Sequence, residues 1–159
     1  MSIALCRVDD RLIHGQVLIG WGVPLHLELI VLVDDAVRGS DWERDIYSMA
    51  VPSGIDVEFV SGAEAAQRVG EWARDSRNVV ILAASLETMS HLVKASEGLI
   101  TRVNLGGIHH EPGRTKRLPY VYLTEDEVAQ LRALEASGVV VTAQDLPTST
   151  PVSVMKLLR

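Results

Sequence analysis

The chain has 159 residues, of which 47% are hydrophobic, with one cysteine and a formal net charge of −6. This length fits one domain, residues 1–159, with a substantial core, and the acidic balance argues against nucleic acid as a partner. No segment reaches the roughly 20 apolar residues of a membrane-spanning helix, and a secretory signal pattern is absent, so we expect a cytoplasmic protein.

Strands and helices are expected to alternate along the chain. Apolar runs predict seven strands, at residues 2–8, 27–33, 56–60, 78–83, 102–105, 120–123 and 139–143. Three helix starts match the capping box: Ser40 with Glu43, Ser61 with Glu64, and Thr124 with Glu127. This alternation predicts a three-layer α/β/α sandwich with a mainly parallel sheet of about seven strands.

The most informative segment is the loop between the first strand and an apolar helix expected over residues 17–25. It contains two arginines, two aspartates and a histidine: Arg7, Arg11, Asp9, Asp10 and His14. Backbone N–H groups and the helix dipole at such a turn attract anions. We therefore expect phosphoryl chemistry in this loop.

A neutral His14 imidazole is a nucleophile towards phosphorus, and nearby Arg7 and Arg11 disfavour a positive charge on it. Asp9 or Asp10 would hold one ring nitrogen, leaving the other free to attack. Arg11 would pair with the phosphoryl oxygens. The alternative is an ordinary loop with surface ion pairs and a solvated histidine.

Several other residues are expected near the phosphoryl group. The predicted phosphate-binding set is Arg7, Arg11, Gly15, Gln16, Gly106 and Gly107. The two glycines after the fifth strand either let the backbone approach the loop or form only a tight turn. Asp34 and Asp35 follow the second strand and are expected at the same rim, since ligands bind beyond the carboxyl ends of parallel strands.

Residues 108–118 form the most basic stretch of the chain. It contains His109, His110, Arg114, Lys116 and Arg117. The last three would steer an acidic partner, although a solvated loop explains the same composition. Adjacent histidines without carboxylate or cysteine ligands at suitable spacing do not predict a metal site. Cys6 lies within the first strand, where we expect burial rather than nucleophilic duty.

Residues 7–17 resemble the active-site loop of the IIB components of the mannose/fructose/sorbose class of the bacterial sugar phosphotransferase system. Further resemblance covers nearly the whole chain, at residues 30–35, 49–52, 103–107, 121–124 and 138–141. It implies an α/β/α fold and a phosphotransferase that needs no cofactor. His14 would accept a phosphoryl group from the IIA component and pass it to a sugar through the IIC and IID membrane components, with peripheral association at the membrane.

One departure from the family pattern concerns docking. Many members carry an arginine shortly after the matching Gly-Gln-Val, where this chain has Leu18, Ile19 and Gly20. If that arginine docks IIA, a different surface, at residues 114–117, would replace it.

The alternative function is a regulatory relay that reports phosphorylation state without sugar transport. A third reading, simple anion binding, does not explain why His14 accompanies the arginines. The sequence identifies neither the transported sugar nor whether the chain forms a homodimer.

Overall fold

The computed structural model describes residues 3–158, with nine strands in that range. They are β1 (Ile3–Val8), β2 (Leu29–Val33), β3 (Asp56–Val60), β4 (Val79–Ala83), β5 (Arg102–Leu105), β6 (Thr115–Leu118), β7 (Val121–Leu123), β8 (Val140–Ala143) and β9 (Val152–Ser153). The main sheet has the order β3-β2-β4-β1-β5-β8-β9. All its pairs are parallel except β8 with β9.

The predicted α/β sandwich is confirmed, with one correction to the membership of the sheet. Residues 120–123 contain a strand, β7, but it pairs with β6 in a separate antiparallel hairpin. This happens because only Pro119 and Tyr120 connect the two strands, a loop length typical of hairpins. The seventh strand of the main sheet is β9, which the sequence did not predict. The predicted first residue of the first strand, Ser2, lies outside the described residues.

Seven α-helices lie in the described range. They are α1 (Gly22–Leu25), α2 (Asp35–Arg38), α3 (Asp41–Ala50), α4 (Gly62–Arg74), α5 (Leu86–Ala95), α6 (Glu125–Ala136) and α7 (Val154–Leu157). The apolar helix predicted over residues 17–25 is present, but it begins as a π-helix, Gln16–Trp21, whose turns are wider. Among residues 3–158, no helix combines the length and apolar character needed to cross a bilayer.

The predicted helix caps are largely confirmed. Two full capping boxes pair Ser61 with Glu64 and Thr124 with Glu127. At α3 the Ser40 side chain accepts the Glu43 N–H at 3.4 Å. In each case the side chain satisfies an N–H group that the first helical turn leaves without a partner. Local signals therefore set the beginnings of these helices.

Helices cover the sheet on both faces, which explains the fully buried central strands. Every residue of β2 and β4 is buried. On one face, Trp72 of α4, Met89 of α5 and Leu131 of α6 join the larger core. On the other, Val17 of the π-helix and Val37 of α2 join a smaller one. This burial on both sides is what continuous apolar strands require. The strand order places the carboxyl ends of β1 and β5 side by side.

Candidate functional site

The loop after β1 is held at the carboxyl ends of the two strands that flank β1, which are β4 and β5. The Asp9 N–H donates to the Ala83 carbonyl at the end of β4 at 2.9 Å. The Asp10 N–H donates to the Gly107 carbonyl, beyond β5, at 2.9 Å. Leu12 is buried with a left-handed backbone, φ 57°, a conformation that is uncommon outside glycine. The loop is thereby fixed at the rim where parallel sheets bind ligands.

Arg7 is a fully buried arginine. Its Nη1 donates to the side-chain oxygen of Asn104 and, at 2.9 Å, to the Gln144 carbonyl. Its Nη2 donates to the Asp145 carbonyl at 3.1 Å, and its Cζ lies 5.2 Å from the centroid of the Trp21 ring. A phosphate contact by Arg7 stays a prediction. The contacts in this structure hold the loop instead, through residues that the sequence analysis did not single out.

Asp9 is the centre of the charge cluster. Its Oδ2 accepts from Arg7 Nη2 at 3.2 Å and from Arg11 Nη2 at 3.1 Å, and its Oδ1 accepts from Arg11 Nε at 3.1 Å. Burial acts to raise the pKa of Asp9, but hydrogen bonds from Arg11 and the charge of Arg7 outweigh it and lower the pKa overall. Asp9 is therefore an ionised carboxylate at neutral pH.

His14 lies directly beside this carboxylate. Its Nε2 is 3.4 Å from Asp9 Oδ2, and neither ring nitrogen has a hydrogen-bond partner among the described residues. Burial of the ring lowers the pKa of His14; the charges of Arg11 and Arg7 lower it further, against the opposing effect of Asp9. The site thus favours a neutral imidazole with an unengaged ring nitrogen, but both ring nitrogens are buried, so nucleophilic attack requires the ring to be uncovered when the donor docks.

Arg11 is the arginine of the cluster that reaches the surface, with 36% of its side chain exposed. Its Nη2 also donates to Gln16 Oε1 at 2.7 Å. The π-helix therefore contributes, through Gln16, to the orientation of the guanidinium. Both residues belong to the predicted phosphate-binding set, and the structure brings them together next to Asp9.

Asp10 pairs with His109 and not with His14. Its Oδ2 accepts the His109 N–H at 2.8 Å, and its Oδ1 lies 2.5 Å from His109 Nδ1. Of the two aspartates that the sequence offered as a holder of the His14 ring, Asp9 is the one beside it. The predicted catalytic role of Asp10 would have to act through His109 in this arrangement.

Gly106 leaves room for the buried charges. A Cβ at this position would overlap the Arg7 guanidinium and lie 2.6 Å from Asp9 Oδ2. The Gly106 N–H donates to the Val8 carbonyl at 2.8 Å, so β5 and the loop meet without an intervening side chain. Close approach to the His14 loop is the reading that this geometry supports. At Gly15, by contrast, a Cβ would meet no atom within 4 Å.

The basic stretch is largely engaged in internal contacts. Arg114 Nε donates to Glu127 Oε1 at 3.0 Å, and 14% of its side chain is exposed. Arg117 Nη1 donates to the Leu157 carbonyl at 3.1 Å. Lys116 is exposed. The predicted docking role of these residues stays a prediction, with Lys116 the most accessible of the three.

Asp34 and Asp35 do not join the cluster. Asp34 caps α2 by accepting the Val37 N–H at 3.0 Å, and Asp35 accepts the Gly62 N–H at 2.8 Å. The reason is strand order, because β4 lies between β2 and β1 and separates the two loops. The loop after β2 therefore lies at the same rim, as expected from its place after a parallel strand, but β4 stands between it and the loop after β1.

Known proteins share both the sequence pattern and this fold. Residues 3–159 match the family described as PTS system sorbose subfamily IIB component. The sorbose-specific EIIB component of Lacticaseibacillus casei is 32% identical over 139 residues, covering 87% of this chain and 84% of that protein. The N-acetylgalactosamine-specific phosphotransferase enzyme IIB component 1 of Escherichia coli K12 is 28% identical over 147 residues, 92% of each chain.

A solved structure gives the same result. The crystal structure of the IIBSor domain of the sorbose permease from Klebsiella pneumoniae has a TM-score of 0.90 at 26% identity, and the match covers 99% of this chain and 96% of that one. The fold and the matches thus define the class, a IIB component of the phosphotransferase system. Within that class, the chain belongs to the sorbose subfamily. Proteins of this family act as phosphotransferases in sugar transport, together with IIA and membrane-embedded components.

Proposed function

We propose that His14 accepts a phosphoryl group from a phosphorylated IIA component and passes it to a sugar, in complex with the IIC and IID membrane components. The observation that carries this proposal is the unengaged His14 ring, 3.4 Å from the carboxylate of Asp9. Two arginines hold that carboxylate in place. The carrier would act at the cytoplasmic face of the membrane, in peripheral contact with the permease.

The position of Asp9 selects the attacking atom. A proton on His14 Nε2 would lie near the Asp9 carboxylate without a hydrogen bond to it, so charge attraction favours that tautomer and leaves the lone pair on Nδ1. Nδ1 then attacks the phosphorus in line, forming a new N–P bond while the bond to the donor histidine of IIA breaks. We therefore propose phosphorylation at Nδ1 of His14.

Arg11 would stabilise the transferring group. Phosphoryl transfer passes through a loose transition state with charge spread over the equatorial oxygens, so positioning and positive charge supply most of the catalysis. Arg11 is exposed enough to meet those oxygens, while Asp9 and Gln16 fix its guanidinium. Backbone N–H groups near Gly15 would add further donors.

The charge environment predicts how His14 titrates. Its pKa lies below the ordinary 6.5 because burial and the arginines disfavour the imidazolium. In an NMR titration of the imidazole Hε1 signal, we expect a midpoint below 6.5, raised by Arg11→Gln and lowered by Asp9→Asn. Acceptance should then be constant near neutral pH and fall only as acid protonates the ring. A midpoint above 6.5 in the wild type would contradict this account.

Docking of IIA is proposed to involve Lys116, the most accessible of the three basic residues of this stretch. Because Arg114 and Arg117 hold Glu127 and the Leu157 carbonyl, we propose that they mainly support the hairpin that presents Lys116. An exposed lysine steers an acidic partner through long-range attraction and adds little to affinity by itself.

Two linked measurements test the proposed function. The first is intact mass after incubation with phosphoenolpyruvate, enzyme I, the histidine phosphocarrier and a IIA component, followed by 31P NMR. We expect the gain of one acid-labile phosphoryl group on Nδ1. The second supplies membrane vesicles containing IIC and IID with sorbose, mannose, fructose or N-acetylgalactosamine, the sugars named for relatives.

The outcomes separate the two steps of the relay. No gain of mass in the presence of demonstrably phosphorylated IIA would contradict acceptance. Acceptance followed by transfer to one of the sugars would support the complete proposal. Acceptance without transfer to any of them would instead favour the regulatory relay.

A further inference from the structure

A second histidine borders the phosphoryl site and is oriented by a carboxylate. His109 follows β5, and its main-chain N–H and ring Nδ1 both contact the Asp10 carboxylate, at 2.8 and 2.5 Å. These two contacts fix the His109 ring relative to the loop after β1. The His109 side chain is 55% exposed, so a group carried by a docked partner can reach it.

The His109 ring, Arg11 and Asp9 converge on Gly107. A Cβ on this glycine would lie 3.0 Å from His109 Cε1, 3.3 Å from Asp9 Oδ1 and 3.4 Å from Arg11 Nε. The missing side chain thus lets the second histidine lie against the charge cluster that surrounds His14. Two residues 99 positions apart, Asp10 and His109, form this edge of the site.

The Asp10–His109 pair has the chemistry of a base. A proton on Nδ1 satisfies the carboxylate and leaves the lone pair of Nε2 available, an arrangement that orients histidine for proton transfer. Transfer to a sugar requires such an acceptor, because the attacking hydroxyl must lose its proton. The nearby alternatives are unsuitable: Arg11 is always protonated, and Asp9 is occupied by two arginines.

We infer, on the basis of the proposed function, that His109 is the general base of the second half-reaction and that Asp10 is its positioning residue. The sugar oxygen forms a bond to phosphorus while the His14 N–P bond breaks, its electron pair returning to the ring nitrogen. The hydroxyl proton passes to Nε2 of His109 and then to water. The first half-reaction involves no hydroxyl, so it does not need His109.

The test compares the two half-reactions in His109→Gln and in a matched control, His110→Gln. His110 is the adjacent exposed histidine, and its ring packs edge-on against Tyr122 at 5.5 Å. Acceptance from phospho-IIA is followed by intact mass, and transfer by loss of the phosphoryl group to sugar in vesicles containing IIC and IID. We expect His109→Gln to retain acceptance within about twofold and to lose about 100-fold in transfer, so that its phosphorylated form accumulates. His110→Gln should retain both steps.

Chemical rescue and a positioning variant complete the test. Added imidazole should restore transfer in His109→Ala, because a free base replaces the missing ring. Asp10→Asn should slow transfer and leave acceptance intact.

Three results would overturn the inference. These are unchanged transfer in His109→Gln, an equal loss of both half-reactions, and a loss of acceptance in Asp10→Asn as large as its loss of transfer. If the wild type accepts no phosphoryl group, or passes it to none of the sugars, the proposed function itself fails and His109 has no hydroxyl to deprotonate.

Discussion

Replacing His14 with alanine is expected to remove phosphoryl acceptance completely while changing the free energy of unfolding by no more than about 1 kcal/mol. The side chain is 17% exposed, and its ring nitrogens make no hydrogen bond within the described residues, so its removal breaks no network. The covalent acceptor itself is lost, and we assign the other histidine at this edge, His109, to proton transfer and not to phosphoryl acceptance. Intact mass after incubation with phospho-IIA measures the first effect, and urea unfolding measures the second.

The matched control is the single cysteine. Cys6 is buried in β1, and burial raises the pKa of its thiol to about 12, so it is protonated and inert at neutral pH. Cys6→Ser should therefore accept the phosphoryl group normally once folded. Acid-labile phosphorylation that persists in His14→Ala would show that another residue is the acceptor. Loss of acceptance in folded Cys6→Ser would support Cys6 as the phosphoryl acceptor.

The composition of the charge cluster was predictable because its members are close in the chain. Arg7 lies near the end of β1, and Asp9, Arg11 and His14 lie in the loop that follows, so residue type and spacing alone bring them together. The same reasoning applies to α6, whose capping box and apolar face are local signals. The predicted helix and the family resemblance depended on such local patterns, which do not require tertiary information.

The partner of each charge was not predictable, because those partners are distant in the chain. Asn104 is 97 positions from Arg7, and no local pattern links them. Asp9 and Asp10 are equivalent in the sequence, and only the loop's fixation between β4 and the segment after β5 decides which lies beside His14. Strand β9 was missed for a related reason, since two residues are too few to show a period.

The buried partner of Asp9 should also carry a large share of stability. Arg7→Met fills a similar volume but leaves Asp9 with only the partly exposed Arg11, and it removes the donors to Asn104 and the Gln144 carbonyl. Breaking a buried ion pair by removing one partner costs about 3–5 kcal/mol. We expect a loss near the lower end of that range, about 3 kcal/mol, in urea unfolding at pH 7. Acceptance by the folded variant should fall as well, because Arg11 alone then holds Asp9 beside His14.

The pH dependence of this loss distinguishes charge from packing. The pKa of Asp9 is lowered in the folded wild type, so its contribution to stability is present above the unfolded value, about 3.9, and is lost as pH falls through the folded pKa. The difference in the free energy of unfolding between wild type and Arg7→Met should therefore be largest near pH 7 and become smaller in acid, where Asp9 becomes neutral. The hydrogen bonds to Asn104 and the Gln144 carbonyl, which Arg7→Met lacks, leave a smaller difference in unfolding free energy that does not change with pH.

The control is Arg77→Met, at the surface pair with Asp75, which should lower the free energy of unfolding far less. A difference in the free energy of unfolding that does not change as the pH is lowered from 7 to below the folded pKa of Asp9 would show that Arg7 stabilises the fold by packing and hydrogen bonding, and not by balancing the charge of Asp9.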